Sequence, residues 1–167
     1  GVEDYGIYYV VCGFVTLFSF LNTSLSQGIQ RFVNFEYAKS GDEAVIKVFN
    51  TSLVIQVVLI VLLSLVVEVV GYYWFTHELV VPDERYHVAW SIFQFSVISM
   101  LINVLSTPYM ALVISFERMN YYALVSIVDA MVKLALAFSL YYITYDKLLF
   151  YGWSLLIISV FNLFLYG

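Results

Sequence analysis

Between Lys47 and Glu68 the chain reads VFNTSLVIQVVLIVLLSLVV, residues 48–67, without a single charge. A hydrocarbon core about 30 Å thick is spanned by ~20 apolar residues in a helix rising ~1.5 Å per residue, so this run has the length and chemistry of a transmembrane helix. Its neighbours repeat the pattern. Tyr5 to Gln30 lies uncharged between Asp4 and Arg31, Tyr86 to Phe116 between Arg85 and Glu117, and Leu148 continues uncharged to Gly167. A fifth run, Met119 to Tyr145, is long enough but carries Asp129 and Lys133. The first run is no signal peptide: Glu3 and Asp4 stand where basic residues belong, and the run is too long.

Composition agrees. Of 167 residues 63% are apolar and 11% charged, and the mean hydropathy is +0.92. Ordinary soluble domains are about 45–50% apolar and ~25% charged, so a water-surrounded globule would lack the polar side chains to cover it. Seven basic residues against twelve acidic ones give a net charge of −5, which excludes the basic footprint of a nucleic-acid binder. The single cysteine, Cys12, excludes an intrachain disulfide and a cysteine-based metal site. No phosphate loop, nucleophile elbow or zinc-binding H-E-x-x-H pair occurs, so the sequence indicates no enzyme, no cofactor and no metal.

The expected fold is an all-α membrane bundle of five helices, approximately 5–39, 42–75, 83–116, 118–144 and 147–167, with no soluble domain. Ser40-Gly41-Asp42-Glu43 supplies a helix stop and a capping-box start, and Val81-Pro82-Asp83-Glu84 suits a helix N-terminus. Short polar breaks at Glu117-Arg118 and Asp146-Lys147 imply antiparallel neighbours. Pro108 is expected to kink the third helix. Alternating spans put Arg31, Lys39, Lys47 and Arg118 at one membrane face against Arg85 and Lys147 at the other, so the positive-inside rule places the first set in the cytoplasm. Trp74, Trp90 and Trp153 and most of the clustered tyrosines fall at the opposite face, as an interfacial aromatic belt would. Gly at position 1 and an apolar last segment read as a piece of a longer protein.

Polar residues inside the spans are the candidates for function. At 100° per residue Thr16, Ser19, Thr23, Ser26, Gln27, Gln30, Arg31 and Asn34 share one arc of the first helix. Polar groups against lipid are costly, so the arc faces helices or water. Two readings stand: a hydrogen-bonded packing seam, or the wall of a wetted cavity, which the larger Gln27, Gln30, Arg31 and Asn34 favour. Asp129 and Lys133 lie one turn apart and share a face with Tyr122 and Ser126. A lone charge at mid-bilayer costs about 2.5–3.5 kcal/mol on insertion scales, so both should face inward. They are either a self-neutralising pair, or a substrate contact at Lys133 beside an ion-coupling carboxylate at Asp129. Ser96, Ser99, Asn103 and Ser106 form a polar arc before Pro108, and Glu68 reads as a boundary residue.

With these residues in view, the chain resembles the bacterial polysaccharide flippases, the lipid-linked oligosaccharide branch of the multidrug/oligosaccharidyl-lipid/polysaccharide exporter superfamily. The resemblance rests on Gly1-Val2-Glu3-Asp4-Tyr5-Gly6-Ile7-Tyr8, Phe18-Ser19-Phe20-Leu21-Asn22, Gln30-Arg31-Phe32, Val81-Pro82-Asp83-Glu84-Arg85 and Glu117-Arg118-Met119, in that order. It implies a fold of two pseudo-symmetric bundles, of which this chain would supply the second through sixth helices of the first bundle, with the remainder of its own chain as a partner. It further implies transport of undecaprenyl-diphosphate-linked oligosaccharide across the bacterial inner membrane for surface polysaccharides such as O-antigen. Arg31, Lys133 and Arg118 would then be inward-facing cations for the substrate. Such a protein answers a physical need, because moving an unpaired sugar hydroxyl into hydrocarbon costs roughly 4–8 kcal/mol. Alternatives are a cation-coupled multidrug exporter of the same superfamily, for which a carboxylate-rich cavity is expected, and a membrane polysaccharide polymerase, which would need larger loops than residues 77–85.

Overall fold

A computed structural model describes residues 13, 16, 19–77, 83–142 and 147–167. The described residues form five helices and no strand: α1 (Ser19–Ser40), α2 (Asp42–His77), α3 (Asp83–Ser115), α4 (Met119–Tyr142) and α5 (Lys147–Tyr166). The architecture is the all-α helical bundle expected from the runs. Most of residues 5–18, including Cys12, lies outside the described residues, as do Val81, Pro82 and Asp146. Four segments are long and apolar enough to cross a membrane, Asp42–His77, Arg85–Ser115, Met119–Ser139 and Leu149–Tyr166. The fifth expected span, Tyr5 to Gln30, falls partly outside the described residues.

Burial inverts the pattern of a soluble protein. Along α2 the apolar Val54, Val58, Val61, Leu62, Leu65 and Val69 are exposed, while the polar Ser52 and Gln56 are buried. In water that arrangement would expose a large apolar surface; in a bilayer it leaves lipid-like groups toward lipid. The chain is a membrane protein on this count and on the four spans together.

α3 is the central helix, packed against α5, α1, α2 and, less extensively, α4. Its Pro108 is fully buried within a continuous helix. The ring removes one backbone donor, and the hydroxyls of Ser106 and Thr107 both donate to the Asn103 carbonyl in the preceding turn, at 2.8 and 3.2 Å. Where α3 meets α2 and α5, the apolar core is aromatic. Phe75 lies 5.2 Å from Trp90 and 5.3 Å from Phe93 between ring centroids, and Phe95 lies 4.8 Å from Trp153. Gly71 permits this approach: a Cβ there would stand 2.2 Å from Cζ of the fully buried Phe93.

The opposite end holds the tight turns. Gly41 adopts φ 71° and its N–H donates to the Tyr37 carbonyl at 3.0 Å, closing α1 with a left-handed cap. The α3–α4 turn uses a Schellman pair, Glu117 N–H to Ile114 C=O and Arg118 N–H to Val113 C=O, with Glu117 at φ 55°. The Arg118 carbonyl then accepts from Tyr121 and Tyr122, so Arg118 starts α4. A ring contact of 5.6 Å between Tyr37 and Phe116 joins the two turns. Lys39, Lys47 and Arg118 are therefore at one end, the basic end, and the Phe75–Trp90–Phe93 cluster marks the other, the aromatic end.

Gln56 is 1% exposed and neither its Nε2 nor its Oε1 has a partner. A buried unpaired amide costs about 1–3 kcal/mol. Gln56→Leu is therefore expected to raise the thermal unfolding midpoint of the purified protein, and a lowered midpoint would mean that the amide is paired in the bilayer.

Candidate functional site

The polar arcs predicted on separate helices meet in one cleft of about 590 Å³. α1 contributes Asn22, Thr23, Ser26, Gln27 and Gln30, and α3 contributes Asn103, Ser106 and Thr107. α4 adds Tyr122, Ser126 and Asp129, and α5 adds Asn162 and Tyr166. Only Met110 and Ile114 in the lining are apolar. The volume falls within the ~300–1,000 Å³ of typical small-molecule sites, whose walls are mostly apolar. This one is lined mainly by residues that carry a polar group, although it sits among membrane-spanning helices.

Its depth follows from helix rise. The lining begins next to the basic end, at Ile114 on α3 and Tyr122 on α4. It reaches Asp129, which stands about 15 Å along α4 from Met119 at ~1.5 Å per residue, half of a ~30 Å hydrocarbon layer. Above that level α3 carries the Phe93, Val97 and Met100 core, fully packed against α2. Toward the aromatic end the lining stops at Asn22 on α1 and Asn103 on α3. α1 and α4 are its two side walls; α3 packs on both, whereas α1 and α4 do not form a packed pair.

Asp129 is the charged group of the lining. Its Oδ2 accepts from Lys133 Nζ at 2.6 Å and its Oδ1 from Asn162 Nδ2 at 2.7 Å. The carboxylate therefore joins α4 to α5 while neutralising Lys133. A second polar tie, Asn103 Nδ2 to Ser159 Oγ at 3.3 Å, joins α3 to α5. A third runs from the Tyr121 hydroxyl to the Leu165 carbonyl. Gln30 Nε2 donates to Ser26 Oγ at 2.9 Å along α1. Two buried acceptors, Asn22 Oδ1 and Asn162 Oδ1, have no donor.

Of the polar residues singled out from sequence, Thr23, Ser26, Gln27 and Gln30 on α1, Asn103 and Ser106 on α3, and Tyr122, Ser126 and Asp129 on α4 line the cleft. Asn34 continues the arc of Gln27 and Gln30 toward the basic end but lies beyond the lining, exposed, as does Arg31. Arg118 is exposed in the α3–α4 turn. Lys133 does not line the cleft; its side chain is 55% exposed on the far side of Asp129. Glu68 accepts from Gln94 Nε2 at 3.1 Å, a link between α2 and α3 well away from the cleft. Among the described residues no group of His, Cys, Asp and Glu could hold a metal ion.

Sequence reading passed over Asn162, Thr107 and Tyr166. Asn162 had a legible signal: it is the one amide in an otherwise apolar or hydroxyl-bearing final run, and an amide at that depth requires an internal partner. A second cavity of about 520 Å³ lies between α1 and α2 and is lined mainly by apolar side chains, including Leu25, Phe32, Val48 and Ile55. Comparison with family models, curated proteins and solved structures finds no match to this chain.

Proposed function

We propose that the chain is the cavity-forming part of a transporter that carries a polar substrate across the membrane, and that the substrate is an undecaprenyl-diphosphate-linked oligosaccharide moved outward through the bacterial inner membrane. One observation carries the reading: a cleft lined mainly by polar side chains that extends from next to the basic end to mid-bilayer depth. A static packing seam would have its polar groups paired across touching helices, whereas here two walls stand apart and two asparagine oxygens of lining residues have no donor. Such a half-channel is what alternating access requires in one of its states. The substrate class comes from the sequence resemblance. Exposed Arg31 and Arg118 at the basic end are suited to meet a diphosphate before the sugar enters.

In a strain that depends on the full-length protein for surface polysaccharide, Arg31→Ala and Arg118→Ala are each expected to reduce surface polysaccharide at least tenfold, with membrane abundance retained. Unchanged polysaccharide from both variants would refute the assigned roles. A cation-coupled drug exporter is the second reading, favoured by the fact that the charged residue in the lining is an acid, Asp129. Drug hypersensitivity of a deletion strain with normal polysaccharide would select it.

A further inference from the structure

The hydrogen-bond accounting of the cleft defines what part of a substrate it receives. Gln30, Asn103 and Asn162 each give one amide N–H to a protein acceptor and keep a second. The hydroxyl protons of Ser106, Thr107 and Ser126 go to backbone carbonyls one turn back. What these six groups present to the cleft is hydroxyl and amide oxygen lone pairs and the second amide N–H groups, with no formal positive charge. Asn22 Oδ1 and Asn162 Oδ1 add acceptors that are buried and have no donor. Each oxygen of the Asp129 carboxylate has one protein donor and room for a second. Among the described residues no lysine, arginine or histidine lines the cleft, and the nearest ammonium, that of Lys133, is already held by Asp129.

A wall of neutral amides and hydroxyls with one carboxylate and no cation among the described residues disfavours a diphosphate and suits a ligand that offers hydroxyls or an amine. Sugar hydroxyls and protonated sugar amines are such groups, and Tyr122 and Tyr166 place aromatic rings beside Asp129 and Asn162 in the same lining. We propose that the cleft is a saccharide subsite that takes hydroxyl- or amine-bearing sugar units on Asp129, Asn162 and Asn22, and that the diphosphate stays outside it. The inference rests on the transport reading above and divides the substrate between two places: the sugar in the cleft, the diphosphate at the exposed cations of the basic end.

The test uses the protein in inside-out membrane vesicles, with Cys12→Ser as background and single cysteines introduced as Ser106→Cys and, separately, Ser126→Cys. Labelling by a membrane-impermeant thiol reagent is measured with maltose, glucosamine or inorganic pyrophosphate at high millimolar concentration. Maltose, glucosamine or both are expected to slow labelling at both positions by about threefold or more, with pyrophosphate inert. Adding Asn162→Ala should abolish that protection while leaving the unprotected rate intact. Protection by pyrophosphate, absence of protection by both sugars, or absence of labelling at both positions overturns the proposal. The readout needs no transport, so its failure is separate from failure of the transport reading, which a deletion strain with normal surface polysaccharide would show.

Discussion

Asp129→Ala is expected to lower the stability of the protein by about 2.5–3.5 kcal/mol, the insertion cost of a lone lysine at the helix centre. The substitution leaves the Lys133 ammonium without the carboxylate that now lies 2.6 Å away and strands the Asn162 amide that donates to the same group at 2.7 Å. Removing one partner of an ion pair within a membrane span is costlier than removing both, because the orphaned charge remains. Asp129→Ala with Lys133→Ala should therefore recover much of the lost stability. The check is the thermal unfolding midpoint of the purified variants together with their abundance in membranes. A double variant no more stable than Asp129→Ala would mean that the pair is not what holds α4 against α5.

The second large effect belongs to the aromatic end. Gly71→Ala would put a Cβ 2.2 Å from Cζ of Phe93, a ring with no exposed surface, packed among Phe75, Trp90 and Val97. Overpacking of this kind costs about 1–3 kcal/mol, and the neighbouring rings leave Phe93 little freedom to retreat. Gly71→Ala should lower the unfolding midpoint, and Phe93→Leu in the same chain should restore part of the loss by removing the ring carbon that collides.

Much of this architecture was legible in the sequence because a bilayer imposes simple arithmetic. Run lengths locate the spans, and Gly41 and the Glu117-Arg118 break mark turns whose hydrogen bonds the structure supplies. The arc of Ser26, Gln27 and Gln30 and the face of Tyr122, Ser126 and Asp129 were likewise visible from helical periodicity. What periodicity does not give is rotation of one helix against another. Lys133 and Asp129 share a face within a turn, yet the carboxylate turns into the cleft and the ammonium lies outside it. The lysine stem is long enough to reach the carboxylate from the far side. Arg31 stands next to Gln30 in sequence but about 100° away around the helix, enough to separate lining from surface. Asn162 escaped notice because a single amide carries no period. Its role depends on Asp129, 33 positions earlier in the chain.

The most direct test of the account is the direction from which water reaches the cleft. Thr107→Cys and Ser126→Cys, compared with Ala89→Cys and Val97→Cys, would be exposed in oriented vesicles to an impermeant thiol reagent from each side. The account predicts labelling of the first pair only from the side of Lys39 and Arg118, and no labelling of the second pair from either side. Refusal of the first pair from both sides, or its labelling from the aromatic end, would contradict it.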